Sequence, residues 1–147
     1  LRDMKLRVVG VCCNQAVRQS MGIRVMNVSL SDFNFLGIFD GFIASGMLQR
    51  LHPELWSKTL LRIARSVKTS GVGLIVTGIS EEEEAKKRHD ILKKSGLPVV
   101  VGEFLDEEGR YNFKPLKSWY DQWLRNAGFY ILKDETMGNT VYTLVKK

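Results

Sequence analysis

Residues 72–77 (Val-Gly-Leu-Ile-Val-Thr) are a near-continuous apolar run in which glycine and threonine alone interrupt large aliphatic side chains. Such a run reads as a strand buried on both faces, the kind found in parallel sheets, and parallel neighbours have to be joined by crossover helices. The flanking sequence supplies them. Upstream, His52-Pro53 opens a helix, since proline is accepted in the first turn. Leu55, Leu60, Ile63, Ala64 and Val67 then recur near helical spacing until Gly71. Downstream, Ser80 with Glu83 matches a capping box, and residues 81–84 put four carboxylates at the positive end of the helix dipole. Glu82 with Lys86 and Glu83 with Lys87 are i,i+4 pairs, so this acidic run reads as a helix start and not as a metal or catalytic cluster.

The rest of the chain repeats the alternation. Residues 6–11 form a short β-rich run, 14–20 one or two helical turns ended by Gly22, 23–28 a second strand and 29–37 a loop. Residues 39–48 (Phe-Asp-Gly-Phe-Ile-Ala-Ser-Gly-Met-Leu) read as a buried strand whose end, Ala44-Ser45-Gly46, is small enough for a ligand to approach the backbone. Residues 97–104 are a short extended piece and 106–109 a turn. Pro115 begins a helix with Leu116, Trp119, Trp123 and Ala127 toward the core and Gly128 at its end. Residues 129–133 and 140–145 form an antiparallel hairpin through 137–139. This order predicts an α/β fold: a three-layer sandwich with a mostly parallel sheet and an antiparallel C-terminal hairpin.

At 147 residues and 44% hydrophobic content, one domain is expected. Because residue 1 is Leu and not Met, we expect that domain to belong to a longer polypeptide. The net charge of +6 permits a nucleic-acid partner without requiring one, since Lys and Arg are dispersed and no RNA-binding signature is present. Cys12 and Cys13 are adjacent, which disfavours a disulfide between them, and with only His52 and His89 there is no metal-ligand spacing. Reduced thiols, no apolar run near the roughly 20 residues of a membrane span and no secretory signal lead to the expectation of a cytoplasmic protein.

Taken together, these segments resemble the class I, Rossmann-like S-adenosylmethionine-dependent methyltransferases. Residues 39–43, Met47-Leu48 and the helix from Pro53 look like the family's fourth strand and following helix. Ser70-Gly71 before Leu74-Ile75-Val76 is similar to its "pG" turn into strand five, and residues 123–129 (Trp-Leu-Arg-Asn-Ala-Gly-Phe) to its "LxxAGF" approach to strand six. The resemblance implies S-adenosylmethionine as cofactor and a small-molecule or macromolecular methyl acceptor. It places Cys12, Cys13, Ser29, Leu30, Ala44, Ser45 and Gly46 on the cofactor side, and Met47, His52, Tyr111 and Phe113 toward the substrate. It assigns no catalytic residue and no metal. In-line methyl transfer needs little beyond positioning, with a base where the nucleophile must lose a proton.

The departures from the family are equally specific. No GxGxG loop of the first strand is present, and residues 6–11 resemble strand two. Cys12 stands where the family has an acid for the ribose hydroxyls, and a thiol cannot make that bidentate contact. Ser29, with Asp32 nearby, stands near the acid that meets adenine. Without the central first strand, strands two and four leave a gap of ~4.8 Å on each side of a missing strand. An upstream segment or a partner chain fills it, or the two strands pair directly. Three functions follow: a methyltransferase or the larger part of one, a catalytically inactive methyltransferase-like module that binds or assembles with a partner such as RNA, and another α/β enzyme such as a reductase. No dinucleotide glycine fingerprint supports the third.

Overall fold

The computed structural model describes residues 6–12, 24–30, 32–97 and 99–147, which cluster into two compact units, 1–34 and 35–147. In the smaller unit β1 (Val9–Cys12) and β2 (Arg24–Asn27) pair in parallel, Val9 opposite Arg24 and Cys12 opposite Asn27. The helix expected at 14–20 lies outside the described residues.

The larger unit is built on β4 (Val67–Gly78), which pairs in parallel with β3 (Phe39–Ser45) and antiparallel with β8 (Thr140–Lys146). β7 (Tyr130–Met137) completes the order β3-β4-β8-β7, joined to β8 across Gly138-Asn139. Gly138 takes φ +56, the left-handed value such tight turns require. Among the described residues no strand is hydrogen-bonded to the other edge of β3.

Helix α1 (Pro53–Ser66) and helix α3 (Lys117–Asn126) pack together beneath this sheet. Trp56, Leu60, Ile63 and Ala64 of α1 and Tyr120 and Leu124 of α3 are buried with Val67, Ile75, Val141 and Val145 of the sheet. Each such large apolar side chain contributes about 1.5–3 kcal/mol. The Trp56 ring anchors the layer, meeting Phe113 edge-on at 5.6 Å and Trp123 at 5.5 Å.

Several elements depart from the sequence expectation. Helix α1 ends at Ser66, well before Gly71, because β-branched Val67 leaves the helix to pair with Phe39. The next residues bulge out of the ladder, as pairing jumps from Phe39 opposite Val67 to Gly41 opposite Val72. Ser70 adopts φ +68 there, and Lys147 holds the bulge by donating its amide to Gly71 O and its Nζ to Val67 O. The capping box at Ser80 does not form. Helix α2 (Glu82–Lys94) has Glu81 at its N-cap position with no side-chain capping bond, while Ser80 is buried with its amide donating to Pro115 O. Glu84 and Arg88 form an i,i+4 ion pair on α2. Residues 103–113 hold an unforeseen antiparallel hairpin, β5 (Glu103–Leu105) and β6 (Tyr111–Phe113). In α3 the fully buried positions are Tyr120 and Leu124, while Trp119 and Trp123 are half-buried.

Burial alternates along residues 71–77 of β4 and along β8. Gly73, Ile75 and Thr77 face the helices, whereas Val72 is 41% exposed and Leu74 and Val76 are half-buried on the opposite face. Register extends that second face sideways: Leu74 lies between Ile43 and Leu144, and Val76 between Ser45 and Tyr142. An open apolar sheet face results, and the two-sided burial expected for 72–77 is met on one side among the described residues.

Two substitutions separate the faces. A Cβ at Gly73 would stand 2.0 Å from Phe42 Cε1, whose ring packs on Phe129, so Gly73→Ala should cost about 1–3 kcal/mol in urea unfolding. Leu144→Gln, on the open face, should stay within about 0.5 kcal/mol of wild type.

Candidate functional site

Since β3 and β4 are parallel, both end at one edge of the sheet, the edge beyond which open α/β sheets bind ligands. β3 closes there in Ser45 and Gly46. Gly46 takes φ +67, donates its amide to Val76 O at 2.9 Å, and leaves open space where a Cβ would stand. Glycine is what allows this turn out of the strand without strain. Half-buried Met47 leads into one 3-10 turn, Leu48–Arg50, and His52 becomes the N-cap residue of α1.

That segment is held from two sides. Gln49 Oε1 accepts the Gly78 amide at 3.2 Å, tying it to the end of β4. Arg50 Nη1 donates to Asp106 Oδ2 at 3.1 Å and to Tyr111 O at 3.3 Å, tying it to the β5–β6 hairpin. Asp106 organises the hairpin turn by accepting from the amides of Glu108 and Arg110 and from the side chains of Arg110, Arg50 and Asn112. Desolvation pushes its carboxyl up, but the hydrogen bonds of Arg110, Arg50 and Asn112 outweigh this and hold it well below the usual carboxylate range.

The hairpin brings a third group to His52. The imidazole lies against the Tyr111 ring with centroids 4.3 Å apart. Tyr111 Oη donates to Glu103 Oε1 at 2.7 Å, and the same oxygen is 3.9 Å from His52 Nδ1. Burial, then the bond and charge of Glu103, with Glu54 further off, push the Tyr111 hydroxyl well above its ordinary value, so it stays a donor.

The sequence-derived residues thus distribute unevenly. Ser45, Gly46, Met47, His52 and Tyr111 gather along this edge and the hairpin that abuts it. Ala44 points the other way, buried on the helix-facing side of β3 opposite Ile75. Phe113 is fully buried against Trp56 and belongs to the core, because the hairpin's alternation turns it inward and leaves Tyr111 outward. In the smaller unit Cys12 ends β1, while Ser29 and Leu30 follow β2; Ser29 Oγ donates to Asp32 Oδ2 at 2.8 Å and accepts the Asp32 amide. Cys13 lies outside the described residues. Glu103 was not singled out in the sequence, where it sits in an apolar stretch without a recognisable partner spacing. Among the described residues no group of His, Cys, Asp and Glu is arranged to hold a metal, and no helix is long and apolar enough to cross a membrane. A separate groove of about 660 Å³ between α2 and the hairpin is lined by Ile91, Leu92, Phe104 and Leu105. The arginines on its rim are already paired, Arg88 with Glu84 and Arg110 with Asp106 and Glu108.

No protein-family model matches the sequence, and no curated protein matches it significantly. Solved structures do match. Over 99% of this chain and 63% of the other, it is similar to the 1,6-didemethyltoxoflavin-N1-methyltransferase of Burkholderia thailandensis with bound 1,6-didemethyltoxoflavin and S-adenosylhomocysteine (TM-score 0.72, 17% identity). It is similar to a SAM-dependent methyltransferase of Methanosarcina mazei over 95% of this chain and 81% of the other (TM-score 0.74, 16% identity). It is similar as well to the putative methyltransferase crystallised with the Trm112 methyltransferase activator of Haloferax volcanii, over 94% and 70% (TM-score 0.62, 11% identity). The chain spans about 63% of the length of the Burkholderia enzyme.

Asp106 carries a pH prediction. With its folded pKa depressed, it stabilises the hairpin above its ordinary value of 3.8, and that contribution is lost as pH falls through the lower folded value. Protection of the Glu108 and Arg110 amides, taken relative to the intrinsic exchange rate at each pH, should fall in Asp106→Asn at neutral pH, and in the wild type as the solution is acidified below pH 3.8. Equal protection in variant and wild type would contradict this role. The strand order, the parallel β3–β4 pair, the C-terminal hairpin and these likenesses agree: the chain carries the class I, Rossmann-like methyltransferase fold.

Proposed function

We propose that this chain is the larger part of a S-adenosylmethionine-dependent methyltransferase domain that continues in a longer polypeptide. The observation that carries the reading is a fold likeness to methyltransferases over nearly the whole chain, coupled to a strand-to-loop junction at Ser45-Gly46 whose backbone is open to a ligand. The fit to the cofactor is partial. Ser45 and Gly46 suit the close approach of a methionine or nucleoside moiety. Cys12, Ser29 and Leu30 are proposed on the family resemblance alone, and Cys12 offers no carboxylate for a ribose. When bound, S-adenosylmethionine would supply an electrophilic methyl group. The protein's part is to orient the acceptor and, for some acceptors, to take a proton.

A further strand, donated by upstream residues or by a partner chain, enters the proposal beside β3 on the side away from β4, where no strand is hydrogen-bonded among the described residues. A partner is a reasonable source, given that one fold neighbour was crystallised with a methyltransferase activator. The acceptor is a small molecule, as named for the Burkholderia neighbour, or a macromolecule.

Calorimetric titration of S-adenosylhomocysteine into the 147-residue chain, and into a form extended through its natural upstream residues, tests the reading. Binding to at least the extended form is expected, with thermal stabilisation of about 2.7 kcal/mol at a ligand concentration 100 times Kd. No binding to either form would overturn it. Salt-dependent RNA binding without cofactor binding would favour an inert module instead, for which Lys86, Lys87, Lys93 and Lys94 along exposed stretches of α2 are a basis.

A further inference from the structure

The end of β4 gathers two hydrogen-bond donors that the fold itself does not use. Gly78, its last residue, is buried, and its amide donates to Gln49 Oε1 at 3.2 Å. A Cβ at Gly78 would stand 2.8 Å from Lys114 Cε and 3.0 Å from Cδ and Cγ, so the lysine stem lies across the strand end where glycine leaves room for it. Gln49 and Lys114 are thus anchored on one residue, at the edge where Gly46 turns out of β3. With Oε1 held by Gly78, the Gln49 amide presents Nε2, which donates and does not accept, and among the described residues no acceptor meets it. Lys114 is in the same position. It is half-buried, and its Nζ stands 5.1 Å from the centre of the Phe104 ring, with Arg88 Cζ equally close to that ring. Among the described residues no carboxylate lies within ion-pair distance of this ammonium. The acids of the neighbourhood are engaged elsewhere: Glu84 by Arg88, Glu103 by the Val100 amide and the Tyr111 hydroxyl, Asp106 by Arg50, Arg110 and Asn112, and Glu108 by Arg110. Glu107 belongs to the turn at the far end of the hairpin. A partly desolvated cation beside an unused donor amide is a cost to the folded chain that an anionic ligand offsets.

Resting on the methyltransferase reading, we propose that Gln49 Nε2 and Lys114 Nζ together hold an anionic oxygen group of the methyl acceptor at the end of β4, so that the acceptor class is an acid, a carboxylate or a phosphate, methylated at another atom. Both groups are donors without acceptor capacity, and charge-assisted bonds from a cation and an amide to one oxyanion are the strong ones. A neutral or cationic acceptor would leave the ammonium without a counter-charge. The amino-acid end of the cofactor fits less well, because its carboxylate comes with an ammonium on the adjacent carbon, and no free carboxylate accompanies Lys114 to receive that second charge.

Side-chain NMR of the protein in its full natural length, saturated with S-adenosylhomocysteine, tests the pair with 4-hydroxybenzoate, 4-hydroxyphenyl phosphate and the neutral 4-hydroxybenzamide. The two anions should shift the Gln49 Nε2 and Lys114 Cε signals together and saturably, and the neutral probe should not. The tighter of the two anions tells a carboxylate site from a phosphate site. Lys114→Met keeps the stem across Gly78 and removes the charge, while Gln49→Glu keeps an oxygen for the Gly78 amide and removes the donors. Each should weaken binding of the anions by about tenfold or more, with the Kd of S-adenosylhomocysteine changed by less than about twofold. Three results overturn the proposal: the benzamide binding as tightly as the anions, anion shifts at the α2 lysines without Gln49, or no shift of Gln49 and Lys114 with either anion or with inorganic phosphate. An equal loss of S-adenosylhomocysteine binding in Lys114→Met also overturns it, by giving the pair to the cofactor. Failure of S-adenosylhomocysteine to bind the wild type counts instead against the methyltransferase reading, and the anion titration of the unliganded protein still decides whether Gln49 and Lys114 form an anion site.

Discussion

The larger unit depends on β4 being paired along both edges, parallel to β3 and antiparallel to β8. The parallel pair forces the chain to travel back beneath the sheet, which is the work of α1. It also sends the ends of β3 and β4 out at the same edge, so that the loops carrying Gly46 and Gly78 meet and Gln49 can join them. On the far side of β8, the antiparallel pairing of β7 with β8 lets the two strands follow one another through two residues. Shifting β4 by one residue would exchange its faces and place Leu74 and Val76 against the helices. The glycines prevent that slip, since Gly73 alone leaves room for the Phe42 ring.

That same strand leaves an apolar surface with no covering layer among the described residues. Ile43, Val72, Leu74, Tyr142 and Leu144 lie in neighbouring registers on one face, a composition suited to a further layer and poorly suited to water. On the opposite face the aromatic cluster of Trp56, Phe113, Tyr120 and Trp123 joins helices and hairpin into one layer. The hairpin is therefore not a loose appendage: Phe113 anchors it in the core, and Arg50 and Asp106 lock it against the segment leading to His52. Tyr111 and Glu103 are delivered to the imidazole by that anchoring.

Much of the fold is legible in the sequence because it is carried by local patterns. The run at 72–77, proline at the start of α1, and Gly128 and Gly138 beyond α3 and between β7 and β8 are one-dimensional signals with fixed structural meanings. What escaped was decided by tertiary contacts. Val67 carries a helical spacing signal yet leaves the helix because a strand edge at Phe39 is there to receive it. Ser80 has the right neighbour for a capping box, but its amide is taken by Pro115 O, more than thirty residues away. The three-residue strands β5 and β6 are too short to show alternation, so the pairing of Glu103 with Tyr111 had no signature. His52 and Tyr111 were recognisable as candidates by type and position. Their stacking, and the carboxylate behind them, came from the packing of Phe113.

In the proposed function the carboxyl edge of the parallel pair is a cofactor site. Amide chemical-shift mapping of the chain in its full natural length, with S-adenosylhomocysteine added, tests this most directly. The account predicts that Ser45, Gly46 and Met47 shift strongly, while Ile91 and Leu105 in the groove beside α2 hold their positions. Shifts confined to that groove, or none along the β3 junction at saturating ligand, would contradict it.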